Sequence, residues 1–361
     1  MQRVRTSRPI EAHSKSFSSQ SQQWFHIDYL GMRSKSSYNK TPEETIPMTM
    51  ETFLERMKDH TDSLFVLDVF INPSGGIPPE YSSLDDLEIG ITETMREMPE
   101  NELLVDKAWA LAHHPGTFTA WHHDCDGKVT AIVPRLGAKL WSAFIPSRAL
   151  LPGEVRDAMV RLCERKLVCP ELREGTVVTL LLKEGDLLFQ PAGIAHQVVT
   201  PTPSYFHGSS FWMYESMHLT RFSRLIDADH GLTTMNVDHQ DLLTFKSMVR
   251  LALSLPLASD LKFYKRPIIS LYDMIVNKEL YINKHLVQQS AKEELLNKMD
   301  SVPYLSQATK ILEKLISKSF GMSLGKNKRA ASQQYLSKTG EWFMPGENAE
   351  VDFEALKLMR K

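Results

Sequence analysis

Between Ala108 and Phe211 the chain is cut into short apolar segments by proline and glycine, and no other feature constrains its fold as much. KAWALAHH (107–114) ends at Pro115-Gly116, while KVTAIVP (128–134) and AKLWSAFIP (138–146) both stop at proline. TVVTLLL (176–182), DLLFQP (186–191), HQVVT (196–200) and SSFWMY (209–214) follow. Segments of this length, rich in β-branched and aromatic residues and bounded by turn formers, favour the pleated conformation. A series of them suggests an antiparallel barrel or sandwich. One helical pattern interrupts the series, PGEVRDAMVRLCERKL (152–167), with Val155, Met159, Leu162 and Cys163 on one face.

The flanks read differently. Residues 1–45 are serine-rich with few apolar anchors, as expected of a disordered polar tail. Residues 46–107 make an α/β flank, in which Thr49 can cap a short helix and LFVLDVF (64–70) has strand length. Residues 108–215 form the β-rich core, and 216–361 are mainly helical, with LLTFKSMVRLAL (242–253) and ATKILEKLISK (308–318) amphipathic.

Charge and cysteine content exclude several function classes. A formal net charge of −2 gives no global attraction for nucleic acid or membrane, and no apolar run approaches the length of a bilayer span. Three cysteines without a CxxC pair fit neither a disulfide framework nor a zinc finger, and point to a reducing compartment. Arg3, Arg5 and Arg8 precede a single acid, as in mitochondrial presequences. Pro9 and the polar run after it make a poor amphipathic helix, so nucleus or cytoplasm is the expected location.

The chemistry is concentrated in TAWHHDCDGKV (119–129). His122 and Asp124 stand in a His-x-Asp arrangement that, on a strand, turns both side chains to one face. The motif alone is weak, because His26-x-Asp28, His60-x-Asp62 and His239-x-Asp241 match it equally. Only His122 is followed by strands, by a lysine in GAKLW (137–141), and by a second histidine in EGDLLFQPAGIAH, His196. Two histidines and a carboxylate leave three coordination positions open, the facial set of non-haem iron(II) oxygenases.

TAWHHD, GAKLW and GDLLFQPAGIAH together resemble the metal and cosubstrate motifs of JmjC-domain oxygenases, members of the cupin superfamily. The resemblance covers about residues 108–214. It implies an α+β chain built on a double-stranded β-helix, or jelly-roll, barrel with flanking helices and a helical C-terminal region. It implies that His122, Asp124 and His196 ligate Fe(II), and that Lys139 and Thr119 bind the distal carboxylate of 2-oxoglutarate as cosubstrate. The expected activity is dioxygenation, hydroxylating a protein side chain or demethylating an N-methyl-lysine, with release of succinate and CO2. The substrate would be a protein or peptide, a histone among the candidates, and by analogy the C-terminal helices would form a homodimer.

Two readings from other classes stand beside this one. The chain can be a non-catalytic JmjC-like interaction module, or a metal-binding cupin that uses no keto acid; Lys139 discriminates, since only keto-acid chemistry needs it. Near the motif, His123 and Asp126 are expected at the rim or in a turn, and His113 and His114, before Pro-Gly, at the surface. Trp141, Phe189 and Phe211 are expected in the barrel core.

Overall fold

The computed structural model describes residues 2–5, 25–29, 45–59, 64–71, 78, 81, 108–165, 174–230, 240–257, 262–284, 289–324, 327–338, 343–346 and 348–349. Ahead of the core lie β1 (Gln2–Arg5), β2 (Phe25–Tyr29), β3 (Thr45–Met48), the short helix α1 (Met50–Arg56) and β4 (Leu64–Phe70). Two strands thus fall within the stretch expected to be a tail; the rest of that stretch lies outside the described residues. Thr49 caps α1 as expected, its hydroxyl accepting from Thr52 N–H at 3.2 Å.

The core strands are β5 (Ala108–His113), β6 (Phe118–His122), β7 (Val129–Leu136), β8 (Ala138–Pro146), β9 (Gly175–Lys183), β10 (Asp186–Gln190), β11 (His196–Val199) and β12 (Ser204–Phe211). They divide between two antiparallel sheets. The larger runs β1-β10-β7-β12-β5-β4-β2-β3 and the smaller β6-β11-β8-β9. Successive core strands change sheet at every connection but one, the step from β8 to β9, which pair over their full length from Ala138↔Lys183 to Pro146↔Gly175.

Apolar side chains fill the space between the sheets. Ile132, Leu188 and Phe206 of the larger sheet meet Trp141, Leu182 and Val198 of the smaller. Phe189 and Phe211 do not join them: they pack with Val129, Leu187 and Tyr81 in a separate cluster, because each is one residue out of phase with the inward set Leu188, Gln190 and Phe206. The last core strand begins at Ser204, earlier than the run 209–214 suggests. Gly208 inside it reads as a breaker, yet it faces Trp109 across the ladder. A Cβ there would lie 2.1 Å from the indole, so the glycine makes room for a ring. Gly137, between β7 and β8, sits at φ 72° with Pro203 carbonyl oxygen where a Cβ would go.

Helices cover the outer face of the small sheet. α2 (Pro152–Arg165) presents Val155, Met159, Leu162 and Cys163, and α3 (Met217–Asp229) presents Leu219, Phe222 and Ile226; both pack with Trp121, Phe144 and Ala195. The chain continues through α4 (Asp241–Ser254), β13 (Phe263–Tyr264), α5 (Lys265–Val276), α6 (Gln289–Asp300), α7 (Leu305–Phe320), α8 (Lys328–Lys338) and β14 (Asn348–Ala349), with β13 and β14 paired. The helices bury a second large core in which Ile311, Leu312, Leu315 and Ile316 of α7 meet Ile268, Tyr272 and Ile275 of α5. Each such side chain contributes about 1.5–3 kcal/mol when fully buried. Among the described residues no helix is long and apolar enough to cross a membrane.

Candidate metal centre

His122 closes β6 and His196 opens β11, and the two are direct cross-strand partners with ring centroids 4.2 Å apart. Asp124 lies two residues beyond the end of β6, but its backbone stays extended, φ −71° and ψ 138°. The alternation of an extended chain therefore carries past the strand, and the carboxylate follows His122 to the same side. One ligand atom from each of His122, Asp124 and His196 lies within 4.8 Å of the others. Of the four His-x-Asp matches in the sequence, this is the one that assembles such a group among the described residues.

The surroundings prepare these atoms for a cation. His122 Nδ1 donates to Ala120 carbonyl at 2.8 Å, while His196 Nδ1 lies 3.1 Å from the Ile194 carbonyl and 3.0 Å from the Gln190 amide nitrogen. A carbonyl can only accept, so His122 Nδ1 carries the proton and its Nε2 keeps a lone pair for a metal. The Gln190 amide donates to Asp124 Oδ2 at 3.3 Å, while its oxygen accepts the Trp141 indole N–H at 2.8 Å. Thr130 hydroxyl donates to the same carboxylate oxygen. Trp141 stacks on His196.

Electrostatics agree with the hydrogen bonds. Burial, then the neighbouring His196, pulls His122 down to about 3, and burial also lowers His196. For Asp124 burial pushes upward, but His196, His122 and the Thr130 hydrogen bond outweigh it and the carboxyl ends below its ordinary value. Near neutral pH the three groups are two neutral imidazoles and a carboxylate, which is the ligand form of each. Their donor set, two nitrogens and one oxygen with the remaining positions free, fits a divalent first-row metal.

Compared with models of known protein families the chain matches none, and no curated protein matches its sequence.

Lys139 and Thr119 reach the inward face by different routes. Lys139 alternates with Trp141 and Ala143 on β8, and Ala143 is the cross-strand partner of His196. Lys139 is 1% exposed. Its Nζ lies 3.2 Å from His113 Nδ1 and 4.9 Å from the centre of the Phe206 ring, and no carboxylate pairs with it among the described residues. Burial lowers its pKa to about 7. Thr119 would point away from His122 on a regular strand. A bulge opposite Gln197 leaves His122 against His196 and Thr119 against Val198, so the threonine shares the inward face after all.

Several expectations fail. His113 and His114 are buried, at 2% and 0% exposure, not at the surface. His113 turns inward to Lys139, and His114 packs near the Phe53 ring. His123 is buried as well, whereas Asp126 lies in a turn as expected, the short helical turn Cys125–Gly127, and is itself buried. His123 points away from the ligands toward α3, with Nε2 3.1 Å from Asp227 Oδ1 and Nδ1 3.0 Å from Ser223 Oγ. The sequence reading overlooked Gln190 and Thr130. Gln190 carried a usable signal, a polar residue in phase with Leu188 at the end of an apolar strand; Thr130 carried none beyond ordinary strand propensity.

Proposed function

We propose that this chain is an Fe(II)- and 2-oxoglutarate-dependent dioxygenase of the JmjC type, acting on a protein or peptide side chain. The observation that carries the reading is the pairing of two features in one interior: a two-histidine, one-carboxylate group and a buried lysine with no carboxylate partner among the described residues. Burying an ammonium without an anion is costly. A ligand that brings the missing carboxylate and also chelates the metal accounts for both features at once. A cupin that binds metal without a keto acid leaves Lys139 unexplained.

The strand order supports the fold this reading implies. With the core strands renumbered from one to eight, the sheets run 6-3-8-1 and 2-7-4-5. That order is the one in which a folded-over pair of antiparallel ribbons winds into a jelly roll, so we read the core as a double-stranded β-helix.

The roles follow from the geometry. His122 and His196 offer Nε2, and Asp124 a carboxylate oxygen that Gln190 and Thr130 hold in place. Lys139 neutralises the far carboxylate of the keto acid, and Phe206 and Trp141 wall the path between them against water. When bound, the metal with its cosubstrate supplies dioxygen-dependent oxidation, in which a substrate C–H becomes C–OH and 2-oxoglutarate leaves as succinate and CO2. Hydroxylation of a side chain and demethylation of N-methyl-lysine through an unstable hydroxymethyl are both products of that reaction. Asp124 is the partly exposed member of the group, its side chain 30% exposed, so the site opens to substrate on its side.

An anaerobic titration tests the reading. Fe(II) and then 2-oxoglutarate are added to the purified protein, and the weak visible charge-transfer band of a chelated keto acid is sought, with His196→Ala as control. A band requiring both additions and absent from the variant supports the assignment. Iron uptake without any band would leave a metal-binding cupin.

A further inference from the structure

His113, on β5, has its Nδ1 3.2 Å from Lys139 Nζ and belongs to the sheet opposite it. Once a carboxylate ligand restores the charge on Lys139, the ammonium has no lone pair, so in its contact with His113 Nδ1 the lysine donates and the imidazole accepts. That fixes the tautomer with the ring proton on Nε2. Yet among the described residues the buried His113 Nε2 has no hydrogen-bond partner. Its cross-strand neighbour Ser204, which shares its face, is 0% exposed and its hydroxyl is also unpartnered.

Three donors are therefore gathered at one end of the barrel interior with no anion among them: the ammonium, the imidazole N–H and the serine hydroxyl. Each buried polar group left unpaired costs free energy, and native proteins keep few of them. Phe65 on β4 and Phe206 on β12 make the walls apolar, with Phe65 5.6 Å from His113 and Phe206 beneath Lys139. Such walls leave a solvating water little else to bind.

We propose that His113 is a binding residue of the cosubstrate pocket, its Nε2–H donating to the terminal carboxylate alongside Lys139 and the Ser204 hydroxyl. His113 then makes the site selective for a dicarboxylate keto acid over a monocarboxylate of the same length. This rests on the keto-acid reading above and adds to it a residue on the other sheet. One carboxylate gripped from β8, β5 and β12 would tie the two sheets together across the barrel.

The test compares 2-oxoglutarate with 2-oxopentanoate, which has the same chain but lacks the far carboxylate. Each is titrated calorimetrically into Mn(II)-loaded full-length protein. Wild type is expected to prefer 2-oxoglutarate. His113→Ala should weaken 2-oxoglutarate roughly tenfold to a hundredfold and leave 2-oxopentanoate unchanged, as the loss of a hydrogen bond to a charged group predicts. His113→Asn keeps an acceptor for Lys139 but not the far donor and should behave like His113→Ala. His113→Gln can place an N–H where Nε2 stood and should keep most of the preference. If His113→Ala does not fold, Ser204→Ala carries the test, with a severalfold loss for 2-oxoglutarate alone.

Equal weakening of both ligands, or none of either while Lys139→Ala loses 2-oxoglutarate, would mean that His113 only packs against the lysine. The inference would then fall and the keto-acid reading would stand. If metal-loaded wild type binds neither ligand, the keto-acid reading falls and takes the role of His113 with it.

Discussion

Trp141 stacks on His196 with ring planes 10° apart and centroids 4.8 Å apart, and its indole N–H donates to Gln190, whose amide in turn donates to Asp124. One buried side chain thus orients one ligand through its face and another through a hydrogen-bonded relay. Trp141→Phe keeps the stack and breaks the relay. It should fold normally and bind Mn(II) about tenfold more weakly, in line with the loss of an outer-sphere partner. Trp141→Ala should also lose about 3–5 kcal/mol of stability in denaturant unfolding. Unchanged Mn(II) affinity in Trp141→Phe would sink the relay.

Asp124 Oδ2 accepts from both Thr130 and Gln190. These donors favour the ionised carboxylate, and without them protons compete for it at higher pH. Thr130→Val and Gln190→Leu should each weaken metal binding about 10- to 100-fold near neutral pH. The deficit should widen toward pH 5, read by calorimetry across a pH series. A pH profile parallel to that of wild type would remove the carboxylate from the explanation.

Lys139 makes the ligand-free protein sensitive to alkaline pH. Burial sets its folded value at about 7, against an ordinary 10.5. Between those values the unfolded chain holds a proton that the folded chain has released, so stability rises as pH rises through the window. Lys139→Met should flatten that rise, measured by unfolding at pH 7, 8 and 9. A carboxylate ligand restores the charge, so 2-oxoglutarate binding at pH 8 should take up a proton. The binding enthalpy will then vary with the ionisation enthalpy of the buffer. A buffer-independent enthalpy would show that Lys139 is already charged.

Chain-local chemistry made part of this site legible before any coordinates. The alternation of β8 put Lys139, Trp141 and Ala143 on one face, and that is where they lie. The ligand set was readable because a strand, a proline and a glycine lead into His196. What stayed hidden depends on pairing between distant segments. A bulge is a mismatch between two strands, so the face of Thr119 cannot be read from β6 alone. His113 reads as a surface residue and His123 as a rim or turn residue, but their partners, Lys139 on another sheet and Asp227 on a helix, come from elsewhere in the chain. Polar residues in a barrel interior look like surface residues until the groups that satisfy them are known.

The helical region has its own polar centre, remote in sequence from the metal ligands. Asp273 on α5 is fully buried and accepts from Arg221 Nε at 2.8 Å, Asn277 Nδ2 at 2.7 Å, Ser332 Oγ at 2.7 Å and the Tyr281 hydroxyl. These donors come from α3, α8 and the segment after α5, so one carboxylate ties these elements together. Burial pushes Tyr281 well above the ordinary phenol range, which keeps it a donor. Asp273→Ala leaves the Arg221 guanidinium buried without its counter-charge and should cost about 3–5 kcal/mol. Asp273→Asn retains the shape but not the charge and should cost less. Because α3 also packs against Trp121 behind the candidate ligands, Mn(II) affinity of the folded Asp273→Asn protein shows how far the helical core supports the two sheets. An affinity equal to wild type would make the two regions energetically separate, and a weakened one would make α3 the element that joins them.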